Sequence, residues 1–483
     1  MSTAKQHAAE IVRKLRERGH KAYFAGGCVR DLLLSREPAD FDVATDATPQ
    51  QVMQIFPQTY AVGEQFGVVL VPFKADTTRD TNEQEGGEPA RTDSFEGRVV
   101  PGAMGGSEKQ RYLFLEPSVR KSVDVATFRS DMGYSDGRHP DEVRFTKDPR
   151  EDVQRRDFTI NGMMLDPATN EILDFVGGRD DLKAGIVRAI GEPERRFQED
   201  KLRMLRAVRF AARFDYQIHP ATMAAIQKLA PKIHLVSCER VRDELTRMLT
   251  EGRARRAFEL LDTTGLLREV LPEIAAMKGV EQPSQYHPEG DVFVHTLLLL
   301  DKLQAGSSKT LAWGALLHDV GKPPTFRVAP DRIRFDGHVD VGVKMAAEIL
   351  RRSRFSNDET DQILALVDNH MRFGHVQRMN QSTLKKFLRL PAFDEHLELH
   401  RIDCLSSHGQ LDAYEYSREK LCSLPPEAIR PAPLITGRDL IEAGYEPGPR
   451  FTEILAAVED AQLEGRLTSR EAAMEFVLRD FPA

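Results

Sequence analysis

Between residues 20 and 73 the chain alternates short strand-like and helix-like patterns. The apolar run Ala22–Ala25 predicts a strand ending in Gly26-Gly27, and a helical pattern opens over Val29–Leu34. Phe41–Ala44 predicts a second strand, Pro49–Ile55 a helix, and the β-branched run Gly67–Phe73 a third strand. The polar, basic residues before them, Met1–Arg18, carry Ile11 and Leu15 at helical spacing, which reads as an amphipathic helix and not a signal peptide. From Lys74 to about Lys109 the pattern collapses into Gly, Glu, Thr, Asp and Ser, as expected of a disordered surface insertion, which we bound at 74–118. Val123–Phe128 resumes the strand pattern and ends in Arg129, so the two ends of the insertion must lie close together.

Helical periodicity takes over from about Arg195. Leu202, Leu205, Val208 and Phe210 make one stripe, and Val241, Leu245 and Leu249 another. Proline-rich breaks near 272–288 and 425–433 mark boundaries. The expected fold class is α+β. A small mixed β-sheet head (1–165) leads into an all-α neck (166–275), a His-rich helical module (276–425) and a helical tail (426–483).

Composition changes this picture little. The 483 residues exceed what one compact core holds, and 41% hydrophobic with 29% charged residues is ordinary for a soluble protein. No apolar run reaches the roughly 20 residues that span a bilayer. Cys28, Cys238, Cys404 and Cys422 are scattered without metal spacing, as expected of reduced thiols in the cytoplasm. The net charge of −8 argues weakly against a chain coated in nucleic acid, but phosphate binding depends on local patches. Arginines do cluster, at 195, 196, 203, 206, 209, 213, 240, 242 and 247.

Chemistry enters at Gly26-Gly27 and Arg30-Asp31. Two glycines after a strand let backbone approach a ligand closely, and a following helix start favours an anion. Asp40 and Asp42, two apart on an expected strand, would share a face, with Phe41 turned to the core, and could bind divalent cations. Asp124 on the next strand offers a third carboxylate. Nucleotidyl transfer needs such a set, because metals activate the attacking hydroxyl and stabilise departing pyrophosphate.

Residues 24–46, FAGGCVRDLLLSREPADFDVATD, resemble the signature of polymerase-β-type nucleotidyltransferases. Within these, the similarity is to bacterial CCA-adding tRNA nucleotidyltransferases and their poly(A) polymerase relatives. It continues through VDVATFR (123–129), RRDFTINGMM (155–164), DFVGGRDDL (174–182), EDKLRMLRAVRFAARF (199–214) and ERVRDEL (239–245). The resemblance implies that Gly26, Gly27 and Arg30 contact the nucleotide and that Asp40 and Asp42 hold magnesium. Arg156, Asp157 and Asn161 would bind triphosphate and ribose. Asp200 and Arg203 would read the base edge, their planar acceptors and donors suiting cytosine or adenine. Spaced i and i+3 on one helix they would share a face, which Arg206 and Arg209 would continue toward the triphosphate. The family usually has Glu where Asp124 stands.

Implied partners are tRNA, CTP and ATP, with no membrane. Full CCA addition is expected over addition of the terminal A alone or poly(A) synthesis. The segment VGEQFGVVLV (62–71), acidic at Glu64, looks like the tRNA enzymes and lacks the basic stretch of poly(A) polymerases. SDMGYSDGRHPDEV (130–143) resembles the flexible loop with which the family switches from cytosine to adenine.

His295, the His318-Asp319 pair and Asp403 resemble the H…HD…D pattern of HD-type metal phosphohydrolases. His318 and Asp319 end an apolar helix (Leu311–Leu317) and are followed by Lys322, suited to phosphate. His338 and His370 add ligands for a second metal. Imidazole with carboxylate suits manganese, nickel, iron or cobalt, and such a site activates water against a phosphoester. The resemblance implies phosphodiesterase or phosphatase action on damaged tRNA ends. The tail segment 435–455 also resembles the family's C-terminal region, so all but the insertion is covered.

Overall fold

A computed structural model of the chain describes residues 3–61, 67–73, 122–133, 142–283, 285 and 287–482. The expected insertion at 74–118 lies outside the described residues, as do 62–66 and 134–141. Two compact units form, Met1–Glu244 with Thr263–Val270, and Leu245–Asp262 with Leu271–Ala483.

The first unit is built on a mixed sheet. Among the described residues its strands are β1 (Ala22–Ala25), β2 (Asp42–Thr45), β3 (Tyr60–Ala61), β4 (Val68–Pro72), β5 (Ser122–Thr127), β8 (Met163–Leu165) and β9 (Ile172–Asp174), in the order β3-β4-β5-β2-β1-β8-β9. Only β2 and β5 run parallel. The expected amphipathic helix is present as α1 (Thr3–Glu17), which buries Ile11 and Leu15 and packs on β1, β2 and β5. On the sheet, Ala25, Ala44 and Met164 pack with Phe128 and Val153. Phe24, Phe128 and Phe158 are fully buried, each worth roughly 1.5–3 kcal/mol of removal from water.

Three expectations change here. The second strand begins at Asp42, so Asp40 precedes it, exposed, although Phe41 is buried as expected. The neck is not wholly helical. Ile172–Asp174 returns by a hairpin to extend the head sheet, and Ile186–Val187 pairs in parallel with Gln217–Ile218. Third, the ends of the expected flexible loop at 130–143 pair as an antiparallel ribbon, β6 (Arg129–Met132) with β7 (Glu142–Phe145), in register Ser130↔Arg144.

In the second unit, four helices surround the histidines: Val292–Lys302, Lys309–Leu317, Asn357–Asn369 and Phe393–Ser406. A separate cluster around Leu440, Ile454 and Val477 closes the tail. No described helix is long and apolar enough to cross a membrane.

Candidate active sites

In the head, the parallel pairing of β2 with β5 sets Asp42 directly opposite Asp124, so the two half-buried carboxylates stand side by side on one face. Gly26 closes the site from β1. Its φ of 75° is a left-handed value that glycine adopts without strain. A Cβ there would lie 3.1 Å from Nη1 of Arg156 and 3.5 Å from Oδ2 of Asp42. Gly26, Arg156 and Asp42 are thus brought together, and Gly27 starts the helix α2 (Gly27–Leu33) that carries Arg30.

Arg30 anchors a chain of polar groups. It donates Nη1 to Oδ1 of Asn161 at 2.6 Å and Nε to Asp31 at 2.9 Å. Asn161 donates to Oδ1 of Asp157 at 3.1 Å, and Oδ2 of Asp157 accepts from Nε and Nη2 of Arg206 at 2.9 and 2.6 Å. Burial opposes ionisation of Asp157, but Arg206 and Asn161 outweigh it and hold the carboxyl at about 2. The guanidinium of Arg30 also lies 4.6 Å from the Phe214 ring centroid.

Asp200 and Arg203, the pair expected to read the base, are arranged otherwise than two neighbours on one helix face. Asp200 ends one helix (Pro193–Glu199) and Arg203 lies in the next (Leu202–Phe214), because the chain leaves helical geometry at Asp200, φ −144° and ψ 109°. Asp200 caps the new helix by accepting from the amide of Leu202 at 3.0 Å, and its other oxygen pairs with Arg240 at 2.7 Å. Arg203 is held by Glu199 at 2.9 Å and by the carbonyls of Arg196 and Arg155, each at 3.1 Å. Arg209, expected to continue that face toward the triphosphate, is paired within the protein instead. It is buried, its Nε 2.7 Å from Glu244, because the helix turns that position inward. Sequence reasoning passed over Glu199, Arg240 and Glu244. Their signal was the ion-pair spacing within EDKLR and the position of ERVRDEL.

In the second unit each histidine is delivered by a defined helix end. Asp291 caps the helix of His295, Ser308 the helix running into His318-Asp319, and Ser356, in a capping box, the helix running into His370. Gly337, in left-handed geometry, starts the helix of His338. Gly321 allows the turn after Asp319 to touch that helix, since a Cβ would meet the carbonyl oxygen of His338 at 2.1 Å.

The Nε2 atoms of His295, His318, His338 and His370 converge on one carboxylate. They lie 3.8 and 3.2 Å from Oδ2 of Asp319 and 3.9 Å, both, from its Oδ1. Asp403 sits 3.1 Å from Nε2 of His295. These Nε2 atoms are buried without a hydrogen-bond partner. Buried polar atoms are nearly always satisfied, so their shared orphaning, with Nδ1 of three rings turned to backbone carbonyls, fits ligation of divalent metal. His295, His318 and Asp319 form one candidate ligand group, and Asp319, His338 and His370 another. Burial pushes His370 down to about 4 and lowers His338, leaving both rings neutral and able to ligate at neutral pH. Burial also opposes charging of His295, but Asp403 and Glu289 prevail and raise it to about 9, so a metal ion there would take the place of the proton that these carboxylates hold. Lys322 is buried against Asp319 at 2.7 Å and Gln282 at 2.6 Å. His287 and Glu289, close behind His295, were missed in the sequence, where a His-x-Glu spacing is their only sign.

A mixed sheet with facing carboxylates and a helical cluster of imidazoles define a nucleotidyltransferase head joined to a metal-binding helical module. Residues 22–88 and 92–188 match the poly A polymerase head domain, 215–278 the probable RNA and SrmB-binding site of polymerase A, and 291–398 the HD domain. The chain is 30% identical over 473 residues to the CCA-adding enzyme of Lactococcus lactis, covering 97% of this chain and 95% of that one. It is 37% identical over 270 residues to that of Geobacillus stearothermophilus, 56% and 55% of the two chains. The crystal structure of the Bacillus stearothermophilus CCA-adding enzyme in complex with CTP is similar over 99% of this chain and 98% of its own, at 26% identity and a TM-score of 0.70. The chain therefore belongs to the CCA-adding enzyme family.

Proposed function

We propose that the protein adds C, C and A to the 3′ ends of tRNA, using CTP and ATP. What carries this reading is the family membership over 97% of the chain together with the Asp42–Asp124 pair set beside Gly26 and Arg156. The tRNA 3′ oxygen attacks the α-phosphorus, the bond to the β-phosphate oxygen breaks, and pyrophosphate leaves. Asp42 and Asp124, with Asp40 beside the strand, are oxygen donors suited to magnesium, which would supply charge neutralisation and an activated hydroxyl. Arg156 and the linked groups Arg30, Asn161, Asp157 and Arg206 would grip triphosphate and ribose. Asp200 and Arg203, each already fixed by a neighbouring ion pair, would present the pattern against which the base is read.

Incubation with tRNA lacking its 3′ end, Mg²⁺ and labelled CTP, ATP or both tests this. Two C residues with CTP and a final A only when ATP is added are expected. Long A tails on unrelated RNA would establish a poly(A) polymerase instead, and incorporation of A alone on tRNA ending in CC an A-adding enzyme.

The converging imidazoles favour a second activity in the same chain. His295, His318, Asp319, Asp403, His338 and His370 would hold divalent transition metal, manganese, nickel, iron or cobalt, and such metal supplies activated water for phosphoester hydrolysis. Opening of 2′,3′-cyclic phosphate ends to the monophosphate, or release of phosphate from 2′-phosphate ends, abolished by His318→Ala with nucleotide addition intact, is the expected result.

A further inference from the structure

The four imidazoles of the cluster differ in what stands behind them. Nδ1 of His318, His338 and His370 lies 2.9, 2.9 and 2.6 Å from the carbonyl oxygens of Ala315, Phe335 and Val367. These are neutral acceptors, each three residues back. His295 alone has a carboxylate behind it, with Nδ1 2.8 Å from Oε1 of Glu289, and that oxygen is also 2.9 Å from Nδ1 of His287. The Nδ1 of His295 meets Glu289 as a close ion pair and not as an aligned hydrogen bond, and an anion at that distance raises the basicity of the ring.

Charge is unequal as well. On the side of His295 and His318 the carboxylates are Asp319 and Asp403, whereas His338 and His370 face Asp319 alone. The ammonium of Lys322 opposes this difference, since it lies 2.7 Å from Oδ2, the oxygen of Asp319 nearer His295 and His318. Asp403 and Glu289 must therefore carry whatever preference remains.

We propose that the two metal positions of this cluster are unequal. The one at His295, His318, Asp319 and Asp403 fills first, the one at Asp319, His338 and His370 fills second, and Glu289 is the positioning residue that sets the first. The inference rests on the reading that the cluster holds two divalent cations.

The test is titration of the full-length protein, stripped of transition metal and kept in excess Mg²⁺ so that the carboxylates of the head are already occupied, with Co²⁺, followed by calorimetry and visible absorbance. Wild type takes up two ions in two steps. Glu289→Gln weakens the tighter step by roughly 10- to 100-fold and leaves the weaker step and the stoichiometry unchanged. His338→Ala removes only the weaker step. A cooperative unfolding transition and nucleotide incorporation in each variant show that the fold is intact. An unchanged tighter step in Glu289→Gln, or loss of a whole ion, overturns the role of Glu289, the latter making it a ligand. Loss of the tighter step in His338→Ala reverses the order of filling. Uptake of one ion or none by wild type removes the two-metal reading itself.

Discussion

The carboxylates of the head stand at the edge of solvent, whereas in the helical module Asp319 is sealed inside and only Asp403 is half-buried. Asp40 is exposed and Asp42 and Asp124 are half-buried, while His295 and Asp319 are 0% and 2% exposed. An RNA end and a nucleotide triphosphate are large and bring their own charge, so the head can leave its acids hydrated until they arrive. The module's charges are in low dielectric at all times and must compensate one another, as Lys322, Asp319 and Asp403 do with the imidazoles. Substitution in the head should therefore act on turnover, and substitution in the module on folding as well.

The largest expected effect tests the first half of that statement. Asp42→Asn should lower nucleotide incorporation by about three orders of magnitude, the equivalent of several kcal/mol of lost charge stabilisation, with an unchanged unfolding midpoint. A large fall in stability with residual activity would show that Asp42 is structural.

Asp319→Asn tests the other half. It leaves the buried ammonium of Lys322 without an anion beside it, with amide oxygens as its acceptors, so the module should lose about 3–5 kcal/mol in denaturant unfolding. Nucleotide incorporation at low temperature should persist. Unchanged stability would mean that the cluster is more hydrated than its burial indicates.

Arg209, in the neck that follows the head, is where the first unit behaves like the module. Its pair with Glu244 is buried on both sides, so Arg209→Met and Glu244→Ala should each cost roughly 3 kcal/mol and leave the KM for CTP and ATP nearly unchanged. The double variant Arg209→Met/Glu244→Leu should regain much of that loss. A raised KM in Arg209→Met alone would return the side chain to the triphosphate.

What could be read in the sequence follows the same division. That Gly26 ends a strand and that Asp42 and Asp124 lie on strands was legible because short apolar runs bounded by glycine or polar residues constrain a few adjacent residues, although the period of two wrongly drew Asp40 into the strand. The helix leading to His318-Asp319 was legible from its continuous apolar run. Other features depended on pairing across distance. That Asp200 closes one helix and begins another, held by Arg240 forty residues on, has no local periodicity to announce it. The inward turn of Arg209 needed Glu244, and the carboxylate behind His295 came from a loop whose composition looks unremarkable. Strand Ile172–Asp174 was hidden in the expected neck because three residues are too few to show alternation.

Acid should separate the two units most finely. Burial, chiefly, pushes His396 down to about 4, and its Nε2 is buried without a partner. A histidine whose folded pKa lies below its unfolded value of 6.5 takes up its proton more readily when unfolded. Its neutral form is accommodated fully above pH 6.5, and stability is lost as pH falls from 6.5 toward 4, by about 3 kcal/mol at the end of that window. In the head, Asp157 at about 2 behaves in the opposite sense. Its pair with Arg206 is intact above the ordinary carboxylate pKa and is lost only as pH falls from about 4 toward 2. Between pH 6.5 and 4 the Asp157 contribution should therefore persist while His396 costs the module stability. Chemical denaturation of wild type and His396→Leu across this range measures it. The variant should be flatter with pH by up to about 3 kcal/mol. Parallel curves would show that the ring reaches water in the folded state and that its burial is looser than that of the metal-facing histidines.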